Sequence, residues 1–246
     1  MAIHDFDAQR LAISAALHEG AAIALSREQA NYLVNVLRLG DGDEVLIFNG
    51  REGEWRARLT AKGKRDYLLV AHAQTRPQPP APALVYLFAP LKRSRLDYMV
   101  QKAVEMGAGR LQPVITRRTI AERVNLERMR ANAIEAAEQC GVLCLPEISA
   151  PQPLEKTLAA WDGAVPLIFC DEAAETREPL AALRSIAPGP VGVLIGPEGG
   201  FDAAEREMLL RAPFVTAISL GPRIMRADTA AVAALALVNA TLGDWR

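Results

Sequence analysis

A chain of 246 residues, half of them hydrophobic, can bury one large core or two small ones, which excludes a disordered polypeptide. Its formal net charge of −1 conceals a segregation: residues 84–130 carry 10 basic and 4 acidic side chains, residues 131–246 carry 8 and 15, and the balanced total therefore does not exclude a nucleic-acid partner. No apolar run approaches the roughly 20 residues of a membrane span, and M-A-I-H-D-F-D at the start has neither the basic onset nor the apolar centre of a signal peptide, so a soluble, cytoplasmic protein without membrane partners is expected.

Residues 1–74 read mostly as strands. Ser26 is placed to cap a helix that runs through Leu37, with Tyr32, Leu33, Val36 and Leu37 on one face. Asp41-Gly42-Asp43 marks a turn, 45–48 a buried strand, Asn49-Gly50 a hairpin signal, and 55–60 the return strand, with one more strand at 67–71. The expected unit is a small β-barrel with a helix packed on it. Such barrels bind RNA through loops and exposed basic side chains, for which Arg38, Arg51, Arg56 and Arg58 are available. Ordinary surface arginines balanced by Asp41, Asp43, Glu52 and Glu54 are an equal reading.

Residues 75–83, T-R-P-Q-P-P-A-P-A, hold four prolines in nine positions and read as a semi-rigid linker between domains 1–74 and 84–246. Beyond it strands and helices alternate. Strands are expected at 84–88, 111–115, 166–170, 191–195 and 215–220, and helices at 96–106, 126–140, from Asp202 and from about Thr229. Alternation of this kind predicts an α/β fold with a mostly parallel sheet covered by helices. Lys92, Arg93 and Arg95 follow the first of these strands, and Arg117, Arg118 and Arg123 follow the second, so both groups should lie off one end of the sheet. Basic side chains there suggest a polymeric anionic substrate.

Cys140, Cys144 and Cys170 form no Cys-x-x-Cys pair, and His4, His18 and His72 all lie in the first third, so no metal site is expected and the cysteines read as reduced core residues.

Two apolar runs end in Gly-Pro. V-G-V-L-I-G-P-E-G-G (191–200) and I-S-L-G-P-R-I-M-R-A-D-T-A (218–230) each hand over from a strand to a helix, the junction at which α/β folds bind small ligands. Neither loop has the Lys-Ser/Thr of a P-loop or the G-x-G-x-x-G spacing, and Glu198 stands where a phosphate would lie. A cationic cofactor suits such a loop better than a polyphosphate.

I-G-P-E-G-G-F and L-G-P-R-I-M-R-A-D-T-A, preceded by Q-K-A-V-E-M-G (101–107) and E-A-A-E-Q-C-G (135–141), resemble the RsmE family, the 16S ribosomal RNA uridine N3-methyltransferases of the SPOUT superfamily. N-Y-L-V-N-V-L-R-L-G-D-G-D resembles that family's PUA-like domain, so the likeness spans almost the whole chain. It implies a deep C-terminal trefoil knot, S-adenosyl-L-methionine as cofactor, 16S ribosomal RNA or the small subunit as partner, and a homodimer. Carried over by motif, the cofactor residues are Phe169, Cys170, Ile195, Gly196, Pro197, Glu198, Gly199, Gly200, Leu220, Gly221, Ile224, Met225, Arg226, Thr229 and Ala230. RNA contacts fall to Arg38, Lys92, Arg93, Arg95, Lys102, Arg117, Arg118 and Arg123.

The chain departs from the family at Val142 and Leu143, where an arginine is usual, and at Met225 and Asp228, which replace the commoner Leu and Glu. Methylating a uridine ring nitrogen requires removal of the N3 proton and stabilisation of charge on the uracil oxygens. The C-terminal half has no histidine, so the proton acceptor is a carboxylate, the RNA itself or water; Arg226 is expected to stabilise the charge, with Glu198 or Asp228 as acceptor or organiser. Glu198 as a carboxylate that holds its own loop is an equal reading. Ribose 2′-O-methylation and a non-enzymatic RNA-binding module are the alternatives.

Overall fold

The computed structural model describes residues 8–63, 66–121, 123–174 and 178–245. His4 and the N-terminal stretch read above against a signal peptide lie outside the described residues. Two compact units result: Met1–Ala81 with Ala137–Leu145, and Pro82–Ala136 with Pro146–Arg246.

The first unit is a five-stranded sheet of β1 (Arg10–Ala12), β2 (Ala22–Ala24), β3 (Glu44–Phe48), β4 (Glu54–Ala61) and β5 (Tyr67–Arg76), in the order β1-β3-β4-β5-β2. β1 runs parallel to β3 and the other pairs are antiparallel. Among the described residues no ladder joins β1 to β2, so by backbone pairing the expected barrel is an open sheet. Its core gathers Leu11, Ile23, Ile47, Leu59 and Leu69, one inward position from each strand, around Leu33 of the segment between β2 and β3.

Ser26 caps α1 (Arg27–Asn31) through a reciprocal box: its hydroxyl accepts the Gln29 amide, and the Gln29 side chain accepts the Ser26 amide, both at 3.1 Å. The helix then changes character instead of running on to Leu37. Tyr32–Val36 form a π-helical turn, closed by the Leu37 amide on the Tyr32 carbonyl at 2.9 Å. The wider turn breaks the 3.6-residue period, so only Leu33 of the expected apolar face is buried, and Tyr32 and Val36 are exposed. The hairpin signalled by Asn49-Gly50 is present, with a loop of five residues. Phe48 pairs with Glu54, and the loop between them is held by the Asn49 side chain, which accepts the Arg51 and Glu52 amides.

β5 extends through Arg76, two residues into the proline-rich stretch. Glu54 explains this: its buried carboxylate accepts the Thr75 hydroxyl at 2.8 Å, Arg76 Nη2 at 2.6 Å and Arg10 Nε at 3.0 Å. Arg76 also donates to the Gly141 carbonyl at 2.9 Å.

The second unit is a parallel sheet of β6 (Leu84–Phe88), β7 (Arg110–Ile115), β8 (Glu147–Ile148), β10 (Leu167–Cys170), β11 (Val191–Ile195) and β12 (Val215–Ile218), with the short β9 (Gln152–Pro153) also on β7. The order is β12-β10-β11-β6-β7-β8. Helices α2 (Arg93–Glu105), α3 (Leu126–Cys140), α4 (Leu154–Ala159), α5 (Pro179–Arg184), α6 (Ala203–Arg211) and α7 (Ala227–Thr241) alternate with the strands. One sheet face packs Leu87, Leu167, Phe169 and Leu194 against Leu154 of α4 and Leu209 of α6. On the other side α7 lies against β11 and α2. From β6 the order advances in one direction through β7 and β8 and in the other through β11, β10 and β12. The crevice at such a reversal, off the carboxyl ends of the strands, is where an α/β sheet accepts a ligand.

Candidate functional site

β10, β11 and β12 end side by side at Cys170, Ile195 and Ile218, and the loops that leave them enclose a cavity of about 1130 Å³. Small-ligand sites usually occupy roughly 300–1,000 Å³, so the space suffices for a nucleoside-sized cofactor. Two glycines shape the wall. A Cβ on Gly196 would collide with the Phe201 ring, and Gly200 adopts φ +68, with Glu172 Oε1 2.8 Å from where its Cβ would lie.

Eleven of the sequence-assigned cofactor residues line this cavity: Cys170; Ile195, Gly196, Pro197, Glu198 and Gly200; Leu220, Gly221, Ile224 and Met225; and Ala230. Four do not. Phe169 is fully buried and stacks edge-on beneath Phe201 at 5.2 Å, because strand alternation points it to the opposite face from Cys170. Gly199 faces away, and its carbonyl accepts Arg118 Nη1 at 2.7 Å. Arg226 and Thr229 are exposed at the start of α7, where Arg226 is the backbone N-cap with no capping side-chain bond. Ile224 is 91% exposed at the tip of its loop, an apolar side chain with nothing over it.

The remaining lining residues escaped the sequence reading, among them Asp171, Glu172, Phe201, Arg206 and Arg223. Asp171 is buried and paired with Arg206 at 2.9 Å, tying the loop after β10 to α6. The signal available was position alone: Asp171-Glu172 directly follows an apolar strand on the same sheet edge as the Gly-Pro loops. Burial pushes the Cys170 thiol up to about 12, so it stays protonated at neutral pH and is no nucleophile.

Several of the basic side chains assigned to RNA contact also bind groups of the protein. Arg95 is ion-paired with Glu198, uniting an expected RNA contact with an expected catalytic carboxylate. Arg117 Nη1 reaches Asp202 Oδ2 at 2.8 Å, and the Arg117 backbone amide donates to Glu205 Oε1, also at 2.8 Å. Bonds from the Glu205 amide and the Arg117 guanidinium hold the Asp202 carboxyl below the usual range. Lys92, Arg93 and Arg123 are exposed nearby in sequence, whereas Lys102 is bound to Glu105 at 2.7 Å and sits 5.5 Å from the Tyr98 ring. Arg38 belongs to the first unit, exposed, with a left-handed φ of 60 that a bulky side chain rarely adopts.

The donor set suits an uncharged, flat ligand part with a cationic centre. Apolar Ile195, Leu220 and Phe201 line the space, Glu172 and Glu198 bring negative charge to it, and of the two lining arginines Arg206 is paired with Asp171 while Arg223 stands on the exposed loop after β12. Among the described residues no cluster of histidine, cysteine or carboxylate groups could hold a metal, and no helix is long and apolar enough to cross a membrane.

Comparison with known proteins places this chain among the RNA methyltransferases: an RNA methyltransferase domain model matches residues 78–239 and an RNA methyltransferase PUA domain model matches residues 25–71. Ribosomal RNA small subunit methyltransferase E of Rickettsia conorii is 30% identical over 231 residues, 94% of each chain, and that of Bacillus subtilis is 26% identical over 91% of each. The structure of the Neisseria gonorrhoeae methyltransferase E bound to S-adenosyl methionine superposes with a TM-score of 0.82 at 26% identity, covering 97% of this chain and 100% of that one. A Legionella pneumophila methyltransferase in complex with the same cofactor gives 0.82, also at 26% identity, covering 95% and 97%. The chain belongs to the ribosomal RNA small subunit methyltransferase E family.

Proposed function

We propose that this chain methylates the N3 position of a uridine in the 16S RNA of the small ribosomal subunit, using S-adenosyl-L-methionine. The observation that carries the reading is the convergence of both Gly-Pro loops on one cavity beside a strip of arginines. The relatives named above support it. When bound, the cofactor supplies an electrophilic methyl group.

The residues of the chain do the rest. Ile195, Gly196, Pro197, Gly200, Leu220, Gly221, Met225 and Ala230 would hold the cofactor, mostly through backbone groups that the glycines and prolines fix in place. Ile224 would close over it. Arg226, exposed at the mouth of α7, stabilises negative charge on the uracil oxygens as the N3 proton leaves. Glu198 accepts that proton, with Asp228 in the first turn of α7 as organiser. The target base must be unpaired or extruded to expose N3.

In this reading residues 1–74 form a PUA-like RNA-binding unit, residues 75–83 a connection, and residues 84–246 the methyltransferase unit, with 137–145 lent to the first. The trefoil knot, the homodimer and a cytoplasmic location belong to the same proposal, on the family resemblance and the ribosomal substrate.

Nucleoside analysis of 16S RNA and of small subunits after incubation with the chain and the cofactor tests the reading. The expected product is 3-methyluridine. A 2′-O-methylated nucleoside would replace N3 by ribose chemistry, and absence of cofactor binding by calorimetry would leave an RNA-binding module.

A further inference from the structure

The arginines beside the cavity are shared between the surface and the site. β6 and β7 are neighbours and β11 lies against β6, so the loops after these three strands meet at one sheet edge. Arg95 pairs with Glu198, Arg118 donates to the Gly199 carbonyl at 2.7 Å, and Arg117 reaches Asp202 at 2.8 Å. The stem of Arg118 also lies against Gly199, its Cδ 3.6 Å from where a Cβ would be. Three guanidinium groups thus grip three points of the β11–α6 loop, the loop that forms a wall of the cavity.

A guanidinium has five N–H donors, and each of these contacts engages one. The Arg117 side chain is 61% exposed, Arg95 36%, and Arg118 is exposed as well. Lys92 lines one small recess with Arg118, Pro197 and Glu198, and Arg93 follows it in the chain, both exposed, which gives a cationic group suited to phosphates.

We propose that Arg95, Arg117 and Arg118 are positioning residues that couple RNA binding to cofactor binding. This rests on the reading of the cavity as the cofactor site. Solvent-exposed ion pairs hold a loop weakly, because two long side chains must be ordered for little Coulomb gain. A phosphate bound to the outward donors orders the same side chains, and the loop they hold is then fixed before the cofactor arrives. Each ligand therefore raises the affinity for the other by the same factor.

The test is calorimetric titration of S-adenosyl-L-methionine into the full chain, alone and with a saturating 16S RNA transcript at fixed salt. For the unaltered chain the transcript should tighten cofactor binding by about 5-fold or more, the lower end of ordinary allosteric coupling. Arg118→Lys keeps the charge, but one ammonium cannot serve the Gly199 carbonyl and a phosphate in the guanidinium's fixed geometry. It should hold RNA affinity within about 3-fold while the enhancement falls below about 2-fold. Arg117→Lys provides a second, independent variant. Equal cofactor affinity with and without transcript, or full enhancement in both variants, overturns the coupling. If the unaltered chain binds no cofactor under either condition, the reading of the cavity falls and the coupling with it.

Discussion

Glu205 in the first turn of α6 accepts the backbone amide of Arg117 at 2.8 Å, although 88 residues separate them. The same carboxylate accepts the Asp202 amide at 3.1 Å and is 2% exposed, so one buried side chain completes a helix cap and pins the loop after β7 to the loop after β11.

Glu205→Ala leaves two amides without their acceptor in a buried setting. An unsatisfied buried polar group costs about 1–3 kcal/mol. The melting temperature should fall by about 2–4 °C for each kcal/mol in a domain of this size. Thermal unfolding followed by circular dichroism checks it, and an unchanged midpoint would remove Glu205 from the scaffold of the site.

Tyr86 presents the opposite case. Its ring is fully buried and stacked on Phe88 at 5.0 Å, and among the described residues its hydroxyl is the buried side-chain atom without a hydrogen-bond partner. Burial, and after it the proximity of Cys170 and Asp228, pushes the phenol well above its ordinary range, so it stays protonated. Tyr86→Phe removes the unsatisfied group and keeps the ring. Stability should rise by about 1 kcal/mol; a loss in the denaturation midpoint would mean that the hydroxyl has a partner in solution.

Glu54 makes the first unit acid-sensitive. Burial alone would raise its pKa, but bonds from Arg76, Thr75 and Arg10 outweigh that and hold the carboxyl below the ordinary value of 4.5. A depressed folded-state pKa contributes stability that is present above the unfolded value and lost as pH falls through the folded one. Unfolding midpoints between pH 3 and pH 6 should therefore drop steeply below about pH 4.5 in the unaltered chain. Glu54→Gln should flatten that slope and, by leaving Arg10 and Arg76 without their anion, lower stability at pH 7 by about 3–5 kcal/mol.

Arg226→Ala should reduce methyl transfer by about 10²–10³-fold, the usual cost of removing one charge-stabilising donor. Because Arg226 caps α7 through its backbone and lies outside the cavity lining, cofactor affinity measured by calorimetry should stay within a factor of about 2. Transfer that survives the substitution would take Arg226 out of the mechanism.

Elements with a clear boundary were legible from the chain alone. β6, β11 and α3 begin and end at the expected residues, because an apolar run closed by Ala89-Pro90 or Gly196-Pro197, or an amphipathic run closed by Gly141, leaves little choice. The turn at Tyr32–Val36 was not, since a helical period cannot reveal where one extra residue widens the turn. β8 and β9, two residues each, depend wholly on the strand they join.

The sequence by itself determined the α/β alternation, the two Gly-Pro loops and the placing of basic residues after successive strands. These are local patterns, set by period, turn chemistry and backbone freedom. Only the tertiary structure decided that β11 lies against β6, and with it that Arg95 meets Glu198 across 103 residues and that Arg117 and Arg118 hold the glycine-rich loop. Sheet order is fixed by how whole strand faces pack, so the partner of a charged side chain is not written in its own neighbourhood. The arginines assigned to RNA are for that reason also bound to a loop that forms one wall of the cavity.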